Sequence, residues 1–511
     1  MNIKRAKEEI KNTIRAYLER DAYGNYLIPA IRQRPILLMG PPGIGKTQIM
    51  EQVARECRVG LVSYTITHHT RQSAIGLPFI EKKQYGGREY SVTEYTMSEI
   101  IASVYDKMEE TGLKEGILFI DEINCVSETL APTMLQFLQC KTFGNQKVPE
   151  GWVIVAAGNP PEYNKSVREF DIVTLDRVKK IDVEDDFGVW KEYAYRQGIH
   201  GAVISYLDIR RENFYQIQTT VDGAIFATAR GWEDLSQMIY AYEKLGIPVD
   251  QDVVYQYIQH KKIAKDFANY LDLYYKYQDD YQVDEILQGK FTQLAAEKLR
   301  IAPFDEKLSV ISLLLSKLSR EFQEVCALDW YVTDLHAKLA GIKEQLFLAH
   351  AGTPEQVLAE EAVRSAAELE QQKNAGQVDR LEEQCMRSVI RTLEEYRAAV
   401  QTEHLAGAEQ AFALVKERFQ KEVERRKAMI AEAAQMLDYA FDFMEAVFGE
   451  SQEMVVFITE LTVNYYSVKF INENGCDRYY QYNKGLLFNE RQKQILGQID
   501  DLRDDLRNTL G

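Results

Sequence analysis

The chain has 511 residues, 46% of them hydrophobic and 27% charged, with a formal net charge of -17. Such a composition belongs to a soluble globular protein with room for about three domains, and its acidic balance disfavours non-specific attraction to nucleic acid or to an anionic membrane surface. Six scattered cysteines without a CxxC pair and a lone adjacent histidine pair, His68 and His69, argue against a disulfide framework and a zinc site.

The start, Met1 to Ile14, is charged throughout and reads as no signal peptide. No apolar run reaches membrane-spanning length, so the expected location is the cytoplasm, with no membrane contact. Ile10, Ile14 and Leu18 stand at four-residue steps and predict an amphipathic helix over 3–19. A short apolar run from Pro35 to Met39 predicts the first strand. Gly40, Pro41, Pro42, Gly43, Ile44, Gly45, Lys46 and Thr47 follow, and from Gln48 the residues Ile49, Met50, Val53 and Ala54 recur at helical spacing. Strand, glycine-rich turn and helix in that order give G-x-x-x-x-G-K-[ST] its meaning as a phosphate cradle. Glycines let successive N–H groups and the helix N-terminus converge on one phosphate. Lys46 is then placed to reach the β- and γ-phosphates, and Thr47 to offer its hydroxyl to Mg²⁺.

Leu61 to Ile66 reads as a second strand, and two extended pieces around Gly86-Gly87 read as a hairpin. Ser98 to Met108 reads as a helix. Ile117 to Ile120 is apolar without a break, as suits a strand buried on both faces of a parallel sheet, and Asp121 and Glu122 emerge at its carboxyl end. There Asp121 can hold Mg²⁺ through its water shell and Glu122 can polarise an attacking water. Val153 to Ala157 repeats the pattern and runs into Gly158 and Asn159, whose amide can reach the γ-phosphate or the lytic water. Leu175-Asp176-Arg177 precedes an alternating segment, Val178 to Val183, read as a further strand. Strands alternating with helices over 35–183 predict an α/β fold with a mostly parallel sheet.

From Trp190 the pattern turns helical and rich in tyrosine. Within it Thr228 is a candidate helix cap, with Arg230 in the first turn that follows. Leu308, Ile311, Leu314, Leu315 and Leu318 mark an amphipathic helix, and 354–449 predicts long helices packed as antiparallel hairpins. Asn474 to Asp477 reads as a turn, and the chain closes on a predicted helix with Ile495, Ile499, Leu502 and Leu506 inward.

GPPGIGKT, ILFIDE, the strand ending in Asn159, LDR and ARGWE, in that order, resemble an AAA+ ATPase. The phrases YTMSEI, ILFIDEIN, GNPPEYN and ATARGWEDLS are similar to the MoxR branch over roughly residues 20–275. The resemblance implies Walker A at Gly40 to Thr47, Walker B at Asp121 and Glu122, sensor 1 at Asn159 and sensor 2 at Arg230, although relatives often carry a proline beside that arginine. It implies an arginine finger acting on the neighbouring subunit at Arg177, with Arg168 as a second candidate, and a partner-facing or pore-facing insert at the Gly86-Gly87 hairpin. The implied cofactors are ATP and Mg²⁺, ATP over GTP being an expectation of the family. The implied layout is an AAA+ P-loop core over 1–188, a helical lid over 189–280 and an all-α C-terminal domain over 281–511. A hexameric ring, a von Willebrand A domain partner and a protein client remodelled or matured by a chaperone-like cycle are expected in turn. A nucleotide-gated binding module with incidental turnover and a nucleic-acid motor subunit are the alternatives, the second disfavoured by the acidic balance.

Overall fold

The computed structural model describes residues 1–68, 71–143, 146–163, 167, 170–220, 223–347 and 352–485. Arg168, His69 and the expected final helix lie outside the described residues. Eleven strands are present among the described residues: β1 Ile36–Met39, β2 Gly60–Thr65, β3 Pro78–Tyr85, β4 Arg88–Tyr95, β5 Gly116–Asp121, β6 Thr142–Phe143, β7 Gln146–Lys147, β8 Trp152–Gly158, β9 Lys179–Asp182, β10 Gln216–Thr220 and β11 Gly223–Ala227.

The chain forms two compact units, one of Met1–Val189, Tyr215–Gly231 and Glu355–Ala399, the other of Trp190–Phe214, Trp232–Pro354 and Val400 onward. The first is built on a five-stranded sheet in the order β2-β5-β8-β1-β9, every neighbouring pair parallel. Its central strands are apolar at each position because successive side chains leave a strand on opposite faces and both faces are covered. Leu118, Ile120, Ile154 and Ala156 join one core with Ile101 and Val104 of the helix Glu99–Thr111 and with Met134 and Phe137 of the helix Ala131–Cys140. Ile117, Phe119, Val153 and Val155 join the other, with Ile10 and Ile14 of the helix Ile3–Leu18 and Met50 and Val53 of the helix Lys46–Cys57. Each such Leu, Ile, Val, Met or Phe side chain removed from water contributes about 1.5–3 kcal/mol before entropy is charged against it.

Trp152, buried at the start of β8, packs its ring against Gly116 and Gly60, where added Cβ atoms would sit 2.6 and 3.1 Å from it. β3 and β4 form the hairpin expected at Gly86-Gly87, with both turn glycines at positive φ. The antiparallel pair β10 and β11 was not expected; its polar first strand gave no apolar alternation, although Asp222-Gly223 is a hairpin signal.

The helices Pro354–Asn374 and Arg380–Thr402 bring Asn374 and Asp379 to this unit's core, where Lys107 donates to the Asn374 carbonyl at 2.6 Å and Arg55 pairs with Asp379 at 3.7 Å. Among the described residues of the second unit there are helices and no strand. Its helix Gly201–Ile209, buried from Gly201 to Leu207, packs on the 43-residue helix Phe304–Leu346. Lys191 is buried there between Asp208 and Glu460, the latter also accepting from Tyr195 at 2.6 Å. No described helix is long and apolar enough to cross a membrane.

Candidate nucleotide site

Parallel pairing brings the carboxyl ends of four strands to one edge of the sheet. Thr65 is level with Asp121, and Met39 is level with Gly158. Whatever follows each strand is therefore delivered to one place: the loop 40–45, Glu122, Asn159 and the turn after β2.

The loop reverses through Gly43 at φ 75° and Gly45 at φ 93°, left-handed values that only glycine adopts without cost. Gly40 is confined too, since a Cβ there would meet the Val183 carbonyl oxygen at 2.7 Å. Gly45 then starts the helix Lys46–Cys57, and no side chain caps it. An uncapped helix N-terminus behind a glycine turn presents N–H donors and the positive end of the helix dipole, which suits an anion. Pro41 is buried, Pro42 and Ile44 are half-buried, and Gln48 is exposed in the first turn, its Oε1 lying 3.3 Å from where a Cβ on Gly45 would stand.

Lys46 is 8% exposed, and its Nζ donates to the Gly40 and Pro41 carbonyls, each at 2.8 Å, and to Asn159 Oδ1 at 2.9 Å. Burial lowers its pKa to about 8; Asp121 and Glu122 push the other way, and Arg230 adds to the lowering. Thr47 Oγ1 donates to Asp121 Oδ2 at 2.9 Å. A hydroxyl and a carboxylate, hard oxygen donors side by side, fit Mg²⁺. Among the described residues no group of three or more His, Cys, Asp or Glu could hold a metal ion. The remaining ligands would then be water and nucleotide phosphates, the usual arrangement for this ion.

Glu122 has φ 56°, a left-handed conformation costing of order 1–3 kcal/mol for a residue with a side chain. The strain is held by its own N–H on Asp121 Oδ1 at 2.9 Å and by its carbonyl, which accepts the Cys125 N–H at 2.8 Å. Its Oε2 accepts from Thr67 Oγ1 at 3.1 Å. Asn159 is held in turn by Asn124, which is 2% exposed.

Arg230 is exposed on the second residue of the helix Ala229–Leu245, and its backbone N–H donates to the Gly43 carbonyl at 3.3 Å. Thr228 Oγ1 accepts the Gly231 N–H at 3.2 Å, so the expected cap is formed. Arg177 is exposed after the short helix Ile172–Leu175 and donates to Gln139. The structure thus brings together Lys46, Thr47, Asp121, Glu122 and Asn159, with Arg230 close enough to act on Lys46, and leaves Arg177 on the surface. Sequence reasoning missed Thr67, Asn124 and Tyr215. For Thr67 and Asn124 a signal existed: polar residues just beyond strands at the carboxyl edge of a parallel sheet.

Residues 36–175 match the family model described as ATPase family associated with various cellular activities (AAA). The match begins at the first residue of β1 and ends just before Arg177, so it contains the loop, the acidic pair and Asn159. Among curated proteins no match to the chain was found.

Proposed function

We propose that this chain, which carries an AAA ATPase domain over residues 36–175, hydrolyses ATP at a site completed by a second copy of itself and uses the cycle to remodel a protein client, in the manner of the MoxR branch. The observation that carries the reading is the closed set Lys46–Asn159 and Thr47–Asp121, with Glu122 adjoining, at the loop edge of the sheet.

In this mechanism the loop N–H groups and Lys46 bind and orient the β- and γ-phosphates. Mg²⁺ carried with the nucleotide supplies charge neutralisation at the phosphate oxygens. Glu122 orients the attacking water and takes its proton, while the Asn159 amide turns from Lys46 to the γ-phosphate or the water. Arg177 completes the site of the adjoining copy. The charges acting on Lys46 come from Asp121, Glu122 and Arg230 of its own chain, which leaves an exposed Arg177 available to a neighbour. An arginine supplied in trans is worth about 10³ to 10⁵ in rate. Assembly into a ring of six is proposed on the family resemblance, as are a von Willebrand A domain partner and a chaperone-like role. The Thr67 hydroxyl on Glu122 favours slow basal turnover, which the alternative of a nucleotide-gated binding module shares.

The test is a mixing experiment. Lys46→Ala and Arg177→Ala should each be nearly inactive alone. Mixed in equal amounts, they should recover about a quarter of wild-type turnover, because some junctions then pair an intact pocket with an intact finger. Full activity of Arg177→Ala alone, or no recovery when two inactive variants are mixed, would end the shared-site reading. Capture of one client by Glu122→Gln with ATP, lost with ADP, would support the remodelling role.

A further inference from the structure

A phosphate loop works only if its peptide N–H groups face the ligand. In a trans peptide the N–H and C=O point in opposite directions, so an N–H can be aimed by holding the carbonyl of the same peptide plane from behind. Five carbonyls of this loop have identified partners, and that of Gly45 makes the first bond of the helix, to the Ile49 N–H at 3.1 Å. Those of Gly40 and Pro41 accept from Lys46. Their peptide planes end on the nitrogens of Pro41 and Pro42, which carry no hydrogen and offer a phosphate nothing. The next two planes carry the N–H groups of Gly43 and Ile44, the first donors the loop can give. The Pro42 carbonyl accepts from Tyr215 Oη at 2.7 Å, and the Gly43 carbonyl accepts from the Arg230 N–H at 3.3 Å.

Both donors flank one element. Gln216 pairs with Ala227 at the open end of the β10–β11 hairpin, so Tyr215 and Thr228 are the residues just outside its last rung. Tyr215 holds Pro42. Thr228 packs on Gly43, where a Cβ would come within 3.2 Å of the threonine side chain. Burial, with Tyr163 and Asp185 nearby, raises the pKa of Tyr215, so its hydroxyl keeps the proton it donates.

We propose that the open end of this hairpin is a clasp on the phosphate loop, and that Tyr215 is a positioning residue which aims the Gly43 N–H at the phosphates of a nucleoside di- or triphosphate. The inference rests on the nucleotide-site reading above. It adds that the pocket's donors are set by a segment some 170 residues downstream of the loop, a separation of 173 between Tyr215 and Pro42.

The test is Tyr215→Phe, which removes one oxygen and keeps the ring. Equilibrium affinities for Mg-ADP and for inorganic pyrophosphate should both weaken, roughly three- to tenfold, the worth of one hydrogen bond. KM for ATP should rise by the same factor while kcat falls by less. Amide exchange over 40–47 should quicken while β5 and β8 keep wild-type protection. Unchanged affinities would overturn the clasp. So would weakened binding accompanied by lost protection throughout β5 and β8, because the hydroxyl would then serve the fold in general. Failure of folded wild-type protein to bind Mg-ADP would remove the nucleotide-site reading itself, and the clasp with it.

Discussion

Asn124 grips Asn159 by both of its backbone groups: Nδ2 donates to the Asn159 carbonyl at 2.8 Å, and Oδ1 accepts the Asn159 N–H at 3.3 Å. Gly158 leaves room for the grip, since a Cβ there would stand 2.5 Å from Asn124 Oδ1. The Asn159 side chain, so anchored, meets Lys46. Asn124→Ala should lower kcat roughly tenfold and stability by about 1 kcal/mol, since two half-buried backbone groups lose their partner. In an Asn159→Ala background the same change should cost little further kcat, because the two act as one unit. Steady-state turnover of the four proteins checks this.

Nucleotide affinity should depend on pH through Lys46. With its pKa lowered to about 8, the free protein loses the ammonium as pH rises past that value, while a bound polyphosphate favours the charged form. Affinity for ADP should therefore be flat below pH 8 and fall above it, by up to about tenfold per pH unit, with proton uptake on binding. Lys46→Arg, always charged, should remove the dependence. The sign for folding is opposite. Between pH 8 and the ordinary lysine value the unfolded chain holds more protons than the native one, so the Lys46 contribution to stability rises with pH. Calorimetric titration in buffers of different ionisation enthalpy reads the first effect, and urea unfolding the second.

Thr67→Val should release Glu122. The hydroxyl hydrogen bond at 3.1 Å stabilises the carboxylate and occupies the oxygen that would otherwise take a proton from water. Basal ATP turnover should rise a few-fold, by about the worth of one hydrogen bond to a charged group. A fall in turnover would mean that Thr67 aims Glu122 and does not restrain it.

Gly116→Ala tests the packing beneath the sheet. The new methyl would be forced onto the buried Trp152 ring, and overpacking of this kind costs about 1–3 kcal/mol. Adding Trp152→Phe should recover part of the loss, since it makes room and removes an indole N–H that has no hydrogen-bond partner. Thermal unfolding of the single and double variants measures both.

The phosphate loop, the acidic pair and the strand leading to Asn159 could be read from the chain because their signals are local. A strand buried on both faces is apolar at every position, and a turn at positive φ favours glycine, as at Gly43 and Gly45. Gly86-Gly87 announced its hairpin for the same reason, and the first helix showed its apolar spacing. The partners of those residues left no comparable trace. Thr67, Asn124 and Tyr215 are ordinary polar residues whose hydrogen bonds reach 55, 35 and 173 positions along the chain. A hydroxyl or amide looks the same in sequence whether it meets water or a loop carbonyl, and only strand register and helix packing decide which. The return of residues 215–231 and 355–399 to the unit holding the sheet was settled in the same way, by contacts between segments that no local spacing connects.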